Sequence, residues 1–356
     1  FQYRPGTISG WISKALAKYS DRRRRRRPVR VYMDGCFDMM HYGHANALRQ
    51  ASVVGLIPDS EILRCKGPPV MNEEERYDLV EAVKWVDEIL TGVPYDLSPE
   101  FIAELFSKHR IDYILHGDDP CLLPDGTDAY AHAKRLGRFK MVKRTEGVST
   151  TDIVGRMLTC SRVNTFIQAD EMDPRTTLSR FLPTSRRLVQ FSNGRQPPEG
   201  ARIVYIDGAF DCFHSGHVKI LRLARAQGDF LLAGLHTDEA VGERRGPHLP
   251  IMNLHERSLS VLACKYVDEV IIGAPPVLSE DLIKTFNIDV VVRGTVSETG
   301  GAPDRYAYAR KMGRFLELPS PSPMTARAII HRIVNKRTEF EARNAKKVRG
   351  VRVCTA

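Results

Sequence analysis

The sequence predicts an α/β protein made of two tandem units, each a parallel sheet with helices on both faces. Three observations carry that expectation. A thirteen-residue pattern is written twice, YMDGCFDMMHYGH at 32–44 and YIDGAFDCFHSGH at 205–217. The matching then continues: Lys66-Gly67-Pro68 with Arg245-Gly246-Pro247, Asn72, Glu75 and Arg76 with Asn253, Glu256 and Arg257, and YAHAKRLGRF at 130–139 with YAYARKMGRF at 306–315. Within each copy, short apolar runs alternate with helical patterns, as in βαβ units on a parallel sheet. A chain of 356 residues is long enough for both copies to bury a core.

The second copy gives the clearest elements. Strands are expected at 202–206, 230–235, 269–272 and 290–292, and helices at 218–226, 255–265, 279–286 and 305–312. In such sheets ligands bind beyond the carboxyl ends of the strands, and the His-x-Gly-His pair follows the first strand of each copy. The first copy has 21 residues between His44 and Lys66 where the second has 27 between His217 and Arg245. The start of a central strand after Ala51 looks absent: either six residues are missing there, which is the favoured explanation, or the first copy has a shortened strand. Residues 159–200 match nothing in the other copy and are broken by prolines, so they read as a linker, with 188–191 as a candidate edge strand. The resulting division is a basic extension at 1–27, a first domain at 28–158, the linker, a second domain at 201–336, and a charged tail at 337–356 read as a helix fading into disorder.

Apolar residues make up 42% of the chain and charged residues 27%, and no stretch approaches the roughly 20 apolar residues of a membrane span, which excludes a helical membrane protein. The chain starts at Phe1, so an N-terminal segment ahead of it is left open. Net charge is +10, much of it from six consecutive arginines, Arg22–Arg27. A solvated basic run and a contact with an anionic membrane surface are both compatible with them, while nucleic-acid binding is not expected. Trp11, Ile12, Ala15, Leu16 and Tyr19 have the spacing of a short interfacial helix. The seven cysteines are scattered, without a CxxC or zinc spacing, as in a reduced cytoplasmic protein without a structural metal. Cys36 faces Ala209 in the second copy, which argues against a catalytic thiol.

The repeated motif has a chemical logic. A helix N-terminus offers unpaired amides and a positive dipole, which favour a phosphate. Gly43 allows close backbone approach, and His41 and His44, one turn apart, can donate to the same phosphoryl group. Transfer at phosphorus needs positioned positive charge more than covalent chemistry. A second polar loop, RTEGVSTTD at 144–152, also opens a helix, and its Arg144 is a bidentate phosphate donor. Lys66, followed by Gly67, is a third candidate for holding phosphates.

These segments resemble the cytidylyltransferases of phospholipid synthesis, within the HxGH nucleotidyltransferases. YMDGCFDMMHYGH, the Lys66-Gly67 step, ERYDLVEAVKWVDEI and RTEGVSTTDIV all look like that family's signatures, over nearly the whole of both copies. The resemblance implies two tandem Rossmann-like HxGH domains. The tandem arrangement is similar to the branch acting on ethanolamine phosphate; the choline-phosphate and glycerol-phosphate enzymes carry one catalytic unit. The implied reaction transfers CMP from CTP to phosphoethanolamine, releasing pyrophosphate. His41 and His44 would bind the α-phosphate and transition state, with Lys66, Arg144, Ser149 and Thr150 completing the catalytic set. Thr145, Gly147 and Val148 would line the triphosphate site, and Gly35, Cys36, Phe37, His116, Gly117 and Asp118 the nucleoside site. Asp34, Tyr95 and Tyr130 fall where the amine-binding groups lie, and Tyr95 stands where choline enzymes carry Trp. Mg²⁺ would ride on the nucleotide phosphates without a protein cage. A homodimer, and a location at the cytosolic face of the endoplasmic reticulum or the mitochondrial outer membrane, are compatible with the resemblance.

The second copy is not expected to be an equal partner. Its nucleotide candidates are Ala209, Phe210, His214, His217, Arg245, Arg293 and Thr325, but Ser320 faces Arg144, Pro276 faces Tyr95, and Thr325-Ala326-Arg327 faces Ser149-Thr150-Thr151. It reads as a weak nucleotide site or a regulatory unit. Other acceptors (phosphocholine or glycerol 3-phosphate) and a non-catalytic nucleotide sensor are the alternatives. A synthetase of the HIGH type lacks support, because the chain has no KMSKS-like loop.

Overall fold

The computed structural model describes residues 27–118, 121, 127–163, 187–246, 248–296 and 304–354. The possible interfacial helix, Arg22–Arg26 of the arginine run and most of the linker lie outside those residues. Arg27 is paired with Asp112 at 2.7 Å.

The first unit runs β1 (Val31–Gly35), α1 (Tyr42–Leu48), β2 (Val53–Leu56), α2 (Asp59–Cys65), α3 (Glu73–Glu81), β3 (Glu88–Thr91), α4 (Pro99–Ser107), β4 (Tyr113–Gly117), α5 (Ala131–Arg135), β5 (Phe139–Val142) and α6 (Thr150–Val163). The second repeats it with β6 (Ile203–Gly208), α7 (Ser215–Arg225), β7 (Phe230–Leu235), α8 (Asp238–Arg245), α9 (Leu254–Leu262), β8 (Glu269–Ile272), α10 (Glu280–Thr285), β9 (Val290–Gly294), α11 (Ala307–Lys311), β10 (Phe315–Leu318) and α12 (Ala326–Asn335), followed by α13 (Arg337–Cys354). The sheet orders are β3-β2-β1-β4-β5 and β10-β9-β6-β7-β8, with every pair parallel. The order reverses between β1 and β4, and between β6 and β9, which opens a crevice at the strands' carboxyl ends.

Alternating side chains build the layers. Tyr32 and Val53 pack with Ile102 and Leu105 of α4 on one face of the first sheet. Met33 and Val54 pack with Leu48 of α1 and Leu79 of α3 on the other. That second core continues into Val204, Ile206, Leu231 and Ala233 of the other unit, so one apolar cluster joins the two sheets.

Equivalent residues exchange partners across this junction, as an approximate two-fold axis requires. Val83 and Cys264, matched positions, form an antiparallel bridge. Arg156 of α6 pairs with Glu256 at 2.7 Å, and its match Arg332 of α12 pairs with Glu75 at 2.7 Å. Both glutamates also close capping boxes on α3 and α9.

The first sheet closes with the residues present after Ala51. Helix α1 has 7 residues where α7 has 11, and β2 has 4 where β7 has 6, which together account for the six-residue difference. The shorter β2 still pairs with β1 from Tyr32↔Val53 to Gly35↔Leu56, so the central pairing survives. Residues 187–191 form a helical turn, not an edge strand. The three-residue spacing of Leu188 and Phe191 suits a helix, and Phe191 is buried edge-on to Trp85 with ring centroids 5.1 Å apart. The tail begins as a helix continuous with the fold: Phe340 of α13 is buried, and Arg337 donates to the Leu158 carbonyl at 2.6 Å.

Candidate active site

β1 ends at Asp34-Gly35, and the chain then turns sharply. Phe37 and Met39 both take left-handed backbone angles (φ 48° and 50°), and their matches Phe210 and Cys212 take the same angles (49° and 48°). Such conformations in non-glycine residues cost energy and persist only where surroundings enforce them. Here buried hydrogen bonds do so. Asp38 accepts from the Val70 and Met71 amides, and Asp211 from Ile251 and Met252. Arg76, fully buried, donates to the Cys36 carbonyl at 2.7 Å and to Asp59. Arg257 does the same to the Ala209 carbonyl at 2.6 Å and to Asp238. Sequence reasoning noted the matched arginines and aspartates without a role; their persistence in both copies was the available signal.

The turn delivers His41 to the N-cap of α1. The Gly43 amide donates to His41 Nδ1 at 3.1 Å, and the His41 amide to His44 Nδ1 at 3.4 Å. An Nδ1 that accepts leaves the ring proton on Nε2 in the neutral imidazole, so both rings present Nε2–H as a donor. The rings stack at 4.0 Å, and Phe37 packs edge-on against His44. A Cβ on Gly43 would sit 2.9 Å from the His41 ring, so this position has no room for a side chain while His41 stays in place.

The threonine-rich loop lies against the same helix end. Thr150 donates to the Asp38 carbonyl at 3.0 Å, Asn46 of α1 to Thr145 at 3.0 Å, and Tyr42 to the Glu146 carbonyl at 3.4 Å. Val148 is buried with a methyl group turned toward Gly43. Ser149 accepts from the Asp152 amide at 3.0 Å and donates to its carboxylate. The hydroxyls of Ser149 and Thr150 are therefore engaged within the protein, and what the α6 terminus offers an anion is amides and dipole. Gly147 takes φ 85°, which sets the turn. The Arg144 amide donates to Asp118 at 2.9 Å, tying this loop to the end of β4.

The remaining candidates form two small groups. Lys66, at the end of α2, stands 3.7 Å from Cys36 Sγ and over the Tyr95 ring at 5.3 Å. The Cys36 sulfur holds the lysine above its ordinary range, and burial pushes Tyr95 up to about 12, so at neutral pH this is an ammonium beside a neutral phenol. The other group surrounds Asp34, which is buried and accepts from Tyr130 at 3.2 Å through both oxygens. The His116 ring on β4 lies tilted against Tyr130, centroids 4.5 Å apart, with its Nδ1 3.1 Å from the Gly117 carbonyl. Burial raises Asp34, opposed by His116, the Tyr130 bond and Lys66.

In the second unit, His214 and His217 stack at 3.8 Å against Phe210, with Ala209, Arg245, Arg293 and Thr325 around one cavity of about 470 Å³. Among the described residues no three His, Cys, Asp or Glu side chains converge as a metal site, and no helix is long and apolar enough to cross a membrane.

Two stretches, residues 32–156 and 205–307, match the cytidylyltransferase-like family model. An ethanolamine-phosphate cytidylyltransferase from Arabidopsis thaliana is 55% identical over 91% of this chain and 84% of its own length. The chain belongs to this family. A second member, from Dictyostelium discoideum, is 47% identical over 90% of this chain and 95% of its own. Human choline-phosphate cytidylyltransferase A is 46% identical but matches only 37% of this chain. The family assignment thus rests on both units, whereas the choline relative matches a stretch about as long as one.

Proposed function

We propose that the first unit transfers CMP from CTP to phosphoethanolamine, giving CDP-ethanolamine and pyrophosphate, and that the second unit does no chemistry. The observation that carries this is the convergence on one crevice of the His41–His44 pair, the 144–150 loop, Lys66, and the buried Asp34–Tyr130 pair. The first three suit a triphosphate. The last suits an ammonium, because a buried carboxylate whose hydrogen-bond partner is a neutral phenol gains from a cation set beside it. Two relatives covering most of the chain carry the matching name.

The acceptor phosphate is already an anion, so no base is needed. Its oxygen attacks the α-phosphorus, and the bond to the bridging oxygen of pyrophosphate breaks. The two Nε2–H groups face the charge that builds on the α-phosphoryl oxygens, where fixed donors are worth most. Lys66 and Arg144 hold the β- and γ-phosphates, and the nucleoside lies along Gly35–Phe37 and His116–Asp118. Asp34, with Tyr130 and Tyr95, orients the amine so that the two anions are held in line. The phosphate-binding groups here are cationic or N–H donors, which fits a Mg²⁺ held by nucleotide and water; when bound it neutralises phosphate charge. The second unit departs at the clamp, where Ser320 replaces Arg144, and at the acceptor seat, where Pro276 replaces Tyr95. A contact of the chain with anionic membranes and a homodimer belong to the same proposal.

The test is to incubate the full chain with CTP, Mg²⁺ and phosphoethanolamine and measure pyrophosphate. ATP replaces CTP as a control, and phosphocholine and glycerol 3-phosphate are compared as acceptors. Release with CTP and preference for phosphoethanolamine is expected. Equal or better turnover with another acceptor overturns the substrate assignment.

A further inference from the structure

The second unit keeps the acceptor-site carboxylate and fills the place beside it. Asp207 matches Asp34, and Tyr306 matches Tyr130 and donates to Asp207 at 2.5 Å. Position 305, however, is arginine where the first unit has Ala129. The Arg305 guanidinium lies 2.9 Å from Asp207 and 2.9 Å from His236 Nε2, and His236 itself stands where the first unit has Ile57. Asp207 is 1% exposed and Arg305 14%, so the pair is buried. The carboxylate that we read as an amine seat in the first unit already has an internal cation here.

Substitutions around the pocket run in the same direction. Arg245 replaces Lys66, Arg244 replaces Cys65, and Arg293 replaces His116. Arg244, Arg245, Arg293, Arg305 and Arg310 line one cavity of about 470 Å³, within the range of small-molecule sites of roughly 300–1,000 Å³. The two carboxylates in its lining are bonded to arginines, Asp207 to Arg305 and Asp304 to Arg310. Burial and the neighbouring Arg305 press Arg244 below its ordinary range, the mark of crowded cations. The eleven-residue helix α7 begins at this cavity, and His214 and His217 of its first turn line it.

We propose that the second pocket is a polyphosphate site that rejects phosphoethanolamine, because Arg305 occupies the position an incoming ammonium would need. Its ligand carries a polyphosphate chain, either on a nucleotide or free as pyrophosphate, and relieves the repulsion among the arginines. The inference rests on the reading of Asp34 as the first unit's amine seat. It gives the chain one acceptor site and two polyphosphate sites.

Equilibrium dialysis of the full chain tests this with three labelled probes: CTP, pyrophosphate and phosphoethanolamine. CTP or pyrophosphate should fill two sites per chain. One of the two should weaken at least tenfold in Arg245→Gln or Arg293→Ser and be unchanged in Lys66→Ala, with circular dichroism checking the fold of each variant. Two sites for CTP identify the nucleotide as the carrier, and two for pyrophosphate alone the free chain; either supports the proposal. Phosphoethanolamine should fill at most one site, and Arg305→Ala should raise that number or its affinity. Phosphoethanolamine filling two sites in the wild type overturns the proposal, as does a polyphosphate stoichiometry indifferent to both arginine variants. Turnover, measured in parallel, reports separately on the activity proposed for the first unit.

Discussion

Arg343→Ala should impair CTP use from a position near the far end of the chain. Arg343 projects from α13 and donates to Asp38 Oδ2 at 3.0 Å and to the Pro68 carbonyl at 2.7 Å. Asp38 is the joint of the site: its carboxylate holds the Val70 and Met71 amides, and its carbonyl accepts from Thr150. The C-terminal helix thus clamps the segment just after Lys66 to the turn that carries the histidines. Removing the guanidinium leaves a carboxylate 3% exposed with two amide partners and no countercharge. Hydrogen bonds to charged groups contribute about 1.5–3 kcal/mol. If that energy holds Lys66 in place, kcat/KM for CTP should fall by about 10- to 100-fold. Arg343→Lys, which keeps charge but loses one of the two bonds, should recover part of it. The control is Arg337→Ala, which removes a bond from the same helix to Leu158 and should lower Tm with little kinetic effect. Steady-state pyrophosphate release and thermal unfolding are the assays. An Arg343→Ala protein that melts earlier yet keeps kcat/KM for CTP within twofold would refute the coupling.

Asp34→Asn should raise KM for phosphoethanolamine at least tenfold while moving KM for CTP little. Because burial raises Asp34, its charge should be lost at a higher pH than for an ordinary carboxylate, so kcat/KM for phosphoethanolamine in the wild type should fall on acidification over a range where Asp34→Asn is flat. Gly43→Ala places a methyl against the His41 ring and should lower kcat tenfold or more with the fold intact by circular dichroism. Arg156→Ala strands Glu256, 3% exposed on its side chain, and should cost about 1–3 kcal/mol in urea titration, with a double-mutant cycle against Glu256→Ala returning a coupling above about 0.5 kcal/mol. Lys84 has a buried Nζ without a hydrogen-bond partner, and burial lowers it to about 8. The unfolded chain binds the extra proton between about pH 8 and 10.5, so stability should rise with pH there, and Lys84→Met should remove that rise and stabilise at pH 7 by on the order of 1–3 kcal/mol.

What was legible in the sequence was what the duplication repeats. The HxGH turn, the strand that precedes it and the loop 144–152 were each visible because a local pattern carries them and a second copy filtered chance. The gap after Ala51 could not be assigned to an element from the sequence, because a missing strand start and a shortened helix followed by a shortened strand look alike in one dimension; the structure shortens both α1 and β2. Residues 188–191 were ambiguous because four apolar-leaning residues fit either period. Arg343 could not be found at all: it lies 305 residues from Asp38, on a helix with no counterpart in the repeat. The roles of Ser149 and Thr150 also changed in kind, since a hydroxyl in a polar loop looks like a ligand donor until its partner is known.

The two units also show which parts of such a site the fold itself requires. The left-handed turn, the buried arginine beneath it, the aspartate holding two amides and the stacked imidazoles are the same in both. The arginine and the aspartate bond the turn after β1 or β6 to neighbouring segments, so losing either would leave buried polar groups unpaired. The residues that differ include His236, Arg245, Arg293 and Arg305, which line the second crevice where the first unit has Ile57, Lys66, His116 and Ala129. A duplicated unit that shares an apolar core with its partner is therefore held to the first set by stability and left free in the second. On that argument the guanidinium beside Asp207, and not the stacked histidines that both units share, is the guide to what the second crevice holds.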